Sequence, residues 1–463
     1  MGDPIEPGDD CARSAAAYAR AYLGFALVAI LILARIVPPY QAPDEPEHFK
    51  RADQVSRGVL IAHRVGGAGA GGIISTGIGA TAAYFDKLPF HPDIKATPLM
   101  YGEAWTITWA NSAVADADFF NTAVYPPFLY LPSVAGIWVG KLAGLSVITT
   151  LDVSRAAMGI ASICVAALAI ALAGGAAPWL FALLSLPMSL SLMASVSQDG
   201  PLIAFAALAA AIFIRLSRNE DAETSLRLFV TMCVSIALIA LARPVYVVFC
   251  MLPLLAVRHR WSVRVAGAAA IGASVGLWML LVAPIAPFAL GADANAPAQI
   301  AFILAHPGTA LSTLIHTLSG SASGYYLEMF VGRLGWLDTA LPASLHRLAW
   351  IVLVVAAVAT AAGLRARAPR LAVVTVVGAI LAAFVALLLV EYVAWTKPDM
   401  EIIQGMQGRY LIPLALFAAA ALPALGRRPG AQRIARALFW LLWLFPPISI
   451  AVTIFTVIRR YYL

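Results

Sequence analysis

Residues 38–54 read PPYQAPDEPEHFKRADQ, and they follow directly on an apolar run at 18–37. Four acids, Asp44, Glu45, Glu47 and Asp53, stand there among His48, Lys50 and Arg51. About 20 apolar residues make a helix long enough to cross a hydrocarbon core, so this charged cluster marks the surface at which a first span ends. Pro38 and Pro39 stop the helix, since proline removes a main-chain donor and clashes with the preceding turn. With no small-residue cleavage site before them, the run is expected to be a retained span rather than a removed leader.

The rest of the chain has the same character. Of its 463 residues, 61% are hydrophobic and 12% charged, a composition outside the range of soluble domains. Apolar stretches recur as far as residue 458 without the alternation of a transmembrane barrel, so the fold class is an all-α polytopic membrane protein. The net charge of +7 is spread over short basic clusters, which is a topology signal and argues against a nucleic-acid partner. Those clusters are Arg215, Arg218 and Arg227; Arg258, Arg260 and Arg264; Arg365, Arg367 and Arg370; and Arg427, Arg428, Arg433 and Arg436. All are expected on the cytoplasmic side. Cys11, Cys164, Cys233 and Cys250 show neither metal-ligand spacing nor a disulfide framework.

Pairing the apolar runs between these clusters gives about eleven spans, with twelve or thirteen as alternatives. Residues 1–17 become a cytoplasmic tail ahead of a single transmembrane domain at 18–463. Two large external loops result, at 38–152 and 285–345. In the first, 125–145 is apolar but broken by Pro126, Pro127, Pro132 and Lys141, and is expected as an interfacial or re-entrant helix. The glycine-rich stretch 65–83 reads as a flexible loop. In the second loop, 298–318 reads as two interfacial helices divided by Pro307. No internal repeat is visible.

Within the opening stretch, Asp44 and Glu47 have the spacing of a capping box, and Pro46 suits the first turn of a helix. On spacing alone Asp44 is a helix cap. Asp44, His48 and Arg51 would then share one helical face. A carboxylate pair at the lip of a span, beside an apolar wall, also has the partial desolvation that suits a general base. Other polar groups gather at span ends. SVSQDGP (195–201) holds Asp199, which by spacing caps the next helix. ARPVYVV (242–248) holds Arg243 and Tyr246 on an outward turn, where a positive charge runs against the inside bias. IIQGMQGRYLIP (402–413) combines Gln407, Arg409 and Tyr410 with two glycines, and a guanidinium fork matches phosphate oxygens. GRLGWLDTALP (332–342) holds Trp336 and Asp338, the former either a sugar-stacking ring or an interfacial anchor.

PDEPEHF (43–49) resembles the acidic first-loop signature of membrane glycosyltransferases with the GT-C fold, such as protein O-mannosyltransferases. With YPPFLYLP, SQDGP, ARPVY, GRLGWLDTALP and QGRYLIP following in order, the chain from 39 to about 413 resembles the DUF2142 family of predicted bacterial membrane proteins. The resemblance implies a GT-C-like bundle of about 11 transmembrane helices in the bacterial cytoplasmic membrane, with its active site outside. It implies transfer of a sugar from a polyprenyl-phosphate-linked donor to a glycan, lipid or protein acceptor, among membrane lipids and with no nucleic acid. Asp44 inherits the role of catalytic base and Glu45 a supporting one. His48, Arg51, Asp199, Arg243, Tyr246, Trp336, Asp338, Gln407, Arg409 and Tyr410 are the expected substrate-binding set. Many GT-C enzymes carry two acids one residue apart in a second loop; here only Asp199 stands there, so no metal or other cofactor is expected. Two other classes stay open: a transporter or flippase of lipid-linked saccharides, and a non-catalytic subunit of a polysaccharide assembly complex.

Overall fold

The structure is a computed structural model, and it describes residues 7–66, 69–218, 225–256, 258–286, 295–425 and 439–463. Arg427, Arg428, Arg433 and Arg436 therefore lie outside the described residues. Seven helices are long and apolar enough to cross a membrane: Ser14–Ile36, Val147–Leu172, Asp199–Ser217, Trp261–Ile285, Ala343–Gly363, Arg370–Ala394 and Trp440–Tyr461. Two bent pairs raise this to nine if each counts as one span: Gly174–Leu184 with Pro187–Met193, at 78°, and Ala296–Ala305 with Pro307–Ser319, at 107°.

The described residues thus give seven such helices, or up to nine, where about eleven spans are expected. The surplus came from runs as apolar as a span but short or broken. Leu226–Ala242, Pro244–Leu255 and Gly408–Ala421 are all under 18 residues. Pro244–Leu255 is a 3-10 helix holding Pro253, and Pro187 opens the second arm of the first bent pair. Hydropathy counts apolar residues, whereas length and bend depend on where proline interrupts the ladder. The break expected at Pro307 is present.

The bundle is built around Asp199–Ser217, whose apolar window is 83% buried, against 17% for the peripheral Trp261–Ile285. Its alanines at 204, 206, 207 and 209–211 are essentially inaccessible. Small side chains let helix backbones approach closely, which replaces the missing hydrophobic drive inside a bilayer. Val147–Leu172 and Leu226–Ala242 pack directly on this helix.

The first loop is folded. Its glycine-rich part, expected as a flexible loop, is a strand and a short helix. Strand β2 (Gly69–Ser75) is the centre of an antiparallel sheet with β1 (His63–Val65) and β3 (Val114–Asp118). Its register pairs Gly71 with Asp118 and Ser75 with Val114. The glycines serve close approach rather than freedom: a Cβ on Gly71 would stand 1.9 Å from the carbonyl oxygen of Ala117, and one on Gly72 would stand 2.3 Å from Gln54 Nε2. Gly71→Ala is therefore expected to cost about 1–3 kcal/mol, the usual range for overpacking, read as a lower thermal midpoint of the purified protein. Gly79, with nothing within 4 Å of its would-be Cβ, should accept alanine without loss.

Buried Asp53 ties this sheet to the helices. Its carboxylate accepts from the Ser75 main-chain N–H at 2.8 Å, from Lys141 Nζ at 2.6 Å and from Arg57 Nη2 at 3.0 Å. Lys141 belongs to the 12-residue helix Leu131–Leu142, about 18 Å long and too short to cross, as expected for an interfacial element. Together these contacts hold the helix Glu45–Ser56 at the mouth of the bundle.

Candidate functional site

Asp44 occupies the N-cap position of Glu45–Ser56, but its backbone is left-handed at φ 58° and its side chain makes no capping bond. Glu47 pairs with Lys50 at 2.8 Å. The capping-box expectation fails for a tertiary reason: the Asp44 carboxylate is turned to Arg409, with Nη2 and Oδ2 3.4 Å apart. Aspartate tolerates a left-handed backbone better than most residues, yet such strain persists only where the surroundings enforce it.

Asp199 opens the central helix rather than capping one that begins at Pro201. Its carboxylate accepts from Arg243 Nη2 at 3.0 Å through Oδ1, while Oδ2 lies 3.2 Å from Arg409 Nη1. Asp44, Arg409, Asp199 and Arg243 thus form one alternating chain of two acids and two guanidiniums, drawn from four separate segments. Carboxylates at a helix N-terminus are favoured by its dipole. The Arg243 guanidinium lies 3.6 Å from the centroid of the Tyr410 ring, a cation–π distance. Tyr246 donates its hydroxyl to the Tyr410 carbonyl oxygen at 2.8 Å, which fixes that ring's segment. Gly408 lets the segment press on the helix Ser321–Gly332, since a Cβ there would stand 1.9 Å from the Tyr326 carbonyl oxygen.

Arg409 is 5% exposed, and among the described residues its Nε and Nη1 have no hydrogen-bond partner; Gln407 Oε1 is likewise buried and unsatisfied there. The Nη1 contact with Asp199 is an ion pair at 3.2 Å whose alignment falls short of a hydrogen bond. A buried guanidinium with unused donors can take anionic oxygens.

His48 is 4% exposed, with Nδ1 2.6 Å from the Tyr130 hydroxyl and its ring stacked on Tyr125. Burial pushes its imidazole down to about 4, against an opposing pull from Asp44 and Asp199. It is neutral in the folded protein at neutral pH. A base with a depressed folded pKa stabilises fully above its unfolded value of 6.5 and loses that stability as pH falls toward about 4. Wild type is therefore expected to lose up to about 1.4 kcal/mol per pH unit across that window relative to His48→Gln. Parallel thermal unfolding of the two proteins between pH 4 and 7 checks this, and equal slopes would contradict it.

The other expected site residues are committed elsewhere. Arg51 is fully buried and donates to the carbonyl oxygens of Tyr125, at 3.0 Å, and Leu60, at 2.6 Å, and to Gln54. None of these partners belongs to the four-residue chain. Glu45 is also fully buried. Oε1 accepts from Arg155 Nε at 2.8 Å and from the Val196 N–H at 3.0 Å, while Oε2 takes Arg155 Nη2. These bonds tie the start of Glu45–Ser56 to Val147–Leu172 and to the Val196 turn. Trp336 donates to the Tyr40 carbonyl oxygen at 3.0 Å. Asp338 pairs with Arg460 at 3.1 Å and accepts from the Phe90 N–H at 2.8 Å, so neither residue joins the four-residue chain.

Four further residues belong to these surroundings without a spacing that marks them. Tyr125 and Tyr130 of YPPFLYLP face His48. Arg155 looks like any arginine near a span end. Glu391 lies within Arg370–Ala394, 8% exposed, with Oε2 unsatisfied among the described residues and 2.5 Å from the would-be Cβ of Gly405. A lone acid inside an apolar run is a legible signal. Among the described residues, no three of His, Cys, Asp and Glu gather as a metal site.

No curated protein and no solved structure is significantly similar to this chain. The family described as "Predicted membrane protein (DUF2142)" matches residues 26–418, a stretch that runs from within the first span past Arg409 and includes all four residues of the alternating chain. The protein belongs to the DUF2142 family of predicted membrane proteins.

Proposed function

We propose that this protein is a membrane glycosyltransferase of GT-C type. It transfers a sugar from a polyprenyl-phosphate-linked donor to a glycan, lipid or protein acceptor at the outer face of the bacterial cytoplasmic membrane. The supporting observation is the contact between Asp44 and Arg409, 365 residues apart in sequence, at the mouth of the bundle. In the free protein the two charges satisfy each other. A donor phosphate that takes the place of Asp44 on Arg409 Nη2 loosens that pair and leaves the Asp44 carboxylate to accept the acceptor's hydroxyl proton. The acceptor oxygen attacks the anomeric carbon with inversion, and the bond to the phosphate oxygen breaks with both electrons on the phosphate. Arg409 and Arg243 stabilise that growing charge, and Asp199 holds the two guanidiniums in place. Neutral His48, seated on Tyr125 and Tyr130, orients the acceptor by hydrogen bonding.

The test incubates purified protein with a panel of polyprenyl-phosphate sugars and follows acceptor-dependent release of polyprenyl phosphate. No release with any donor, together with unchanged envelope glycans in a strain carrying Asp44→Asn, would overturn the reading. The two bent helix pairs favour a second one, a carrier of lipid-linked saccharides, because carriers use discontinuous helices at their sites. Movement of such a lipid across reconstituted vesicles without release of polyprenyl phosphate would favour it.

A further inference from the structure

A cavity of about 410 Å³ lies apart from the Asp44 chain, at the C-terminal end of the last helix, Phe439–Tyr461. Its polar lining comes from Lys95 of the first loop, Asp338 and Thr339 at the β4–β5 hairpin (Arg333–Leu334 and Thr339–Ala340), and Thr456, Arg459 and Arg460 of the last helix. Arg460 is 8% exposed and committed: it donates to the Leu88 carbonyl oxygen at 2.6 Å and pairs with Asp338 at 3.1 Å. That pair cancels the lining's one acid. Lys95 Nζ donates to the carbonyl oxygens of Arg459 and Arg460, at 3.1 and 3.0 Å. This suits the negative end of a helix dipole but brings no carboxylate to the ammonium. Arg459 is exposed, and no carboxylate among the described residues pairs with it. Two positive charges in the cavity are left uncompensated.

The rest of the lining is largely apolar. Leu341 and Pro342 belong to it together with Phe455, which is 62% exposed on a candidate span. The depth is set by Tyr462, whose hydroxyl donates to the Ile36 carbonyl oxygen at 2.9 Å. First and last spans therefore end at one level, where apolar chain gives way to polar loop. Basic groups at that level beside an apolar wall match an amphiphile with an anionic head.

We propose that this cavity seats an anionic phospholipid of the leaflet on the Asp44 side. Arg459 and Lys95 hold the phosphate, and Phe455 packs on the upper part of an acyl chain. The bound lipid braces the hairpin, the 88–96 segment and the last span against one another. The proposal is independent of whether the protein transfers sugars.

The full chain is reconstituted in nanodiscs of phosphatidylcholine with increasing phosphatidylglycerol, and retained lipid is counted by native mass spectrometry alongside the thermal midpoint. Wild type is expected to retain phosphatidylglycerol over phosphatidylcholine and to gain stability with it. Each cation removed should cost about fivefold in retention, from the surface contribution of one basic residue. Arg459→Gln is the primary variant because its side chain holds no structural bond among the described residues. Lys95→Gln also loses two bonds to the helix end, so its midpoint in pure phosphatidylcholine serves as the folding reference. Equal retention by wild type and Arg459→Gln overturns the site. Protection by inorganic phosphate equal to that by phosphatidylglycerol overturns the lipid assignment in favour of a soluble phosphate ligand.

Discussion

Asp44→Asn is expected to lower sugar transfer by about 10²–10⁴-fold, the range for removing a general base, and to leave the protein folded. Asparagine has the same shape, tolerates the left-handed backbone of position 44, and can still accept a hydrogen bond from Arg409. What it lacks is a site for the acceptor's proton. The Asp44 side chain is 38% exposed, so little packing depends on its charge. The measurement is release of polyprenyl phosphate by purified wild type and variant, with thermal midpoints compared. Retained turnover in a folded variant would remove Asp44 from the chemistry. Arg409→Gln is a poorer test, because it leaves Asp44 and buried Asp199 facing each other without a cation between them.

Glu45→Gln is expected to act on the fold instead. The Glu45–Arg155 pair is sealed, with side-chain exposures of 0% and 1%. Arg155 also donates to the carbonyl oxygens of Ala34, Val37 and Pro38, at 3.0, 2.7 and 3.0 Å. It thereby gathers the end of the first span, the start of Glu45–Ser56 and the Val196 turn onto Val147–Leu172. Removing one partner of a buried pair costs about 3–5 kcal/mol, and Asp152, 3.8 Å from Arg155 Nη1, offsets part of that. The expected result is a large drop in thermal midpoint and in recovered monodisperse protein. Replacing both partners by leucine should recover only part of it, because three main-chain carbonyls would still lose their donor. A Glu45→Gln protein with wild-type stability and reduced turnover would reverse the assignment and place Glu45 in the chemistry.

Neighbouring residues thus meet different partners for a reason no spacing rule carries. Asp44 and Glu45 are adjacent acids, and the sequence offers both to the same site. The left-handed turn at Asp44 sends its carboxylate to Arg409, while helical Glu45 points inward to Arg155. His48 and Arg51 likewise sit a turn apart on one helix, yet one meets a tyrosine hydroxyl and the other main-chain carbonyls. Asp199, Arg243, Tyr246, Arg409 and Tyr410 were legible as candidates because polar groups in a chain this apolar collect at span ends. That they meet one another was not legible.

Composition and the placement of apolar runs determined by themselves that this is a helical membrane protein with a polar loop after its first span, because the bilayer admits few backbone solutions. They also marked where helices break, through proline. Tertiary structure alone turned a glycine-rich stretch into a strand and closed the chain Asp44–Arg409–Asp199–Arg243. Those outcomes depend on which surfaces pack together across hundreds of residues, and local periodicity holds no record of that.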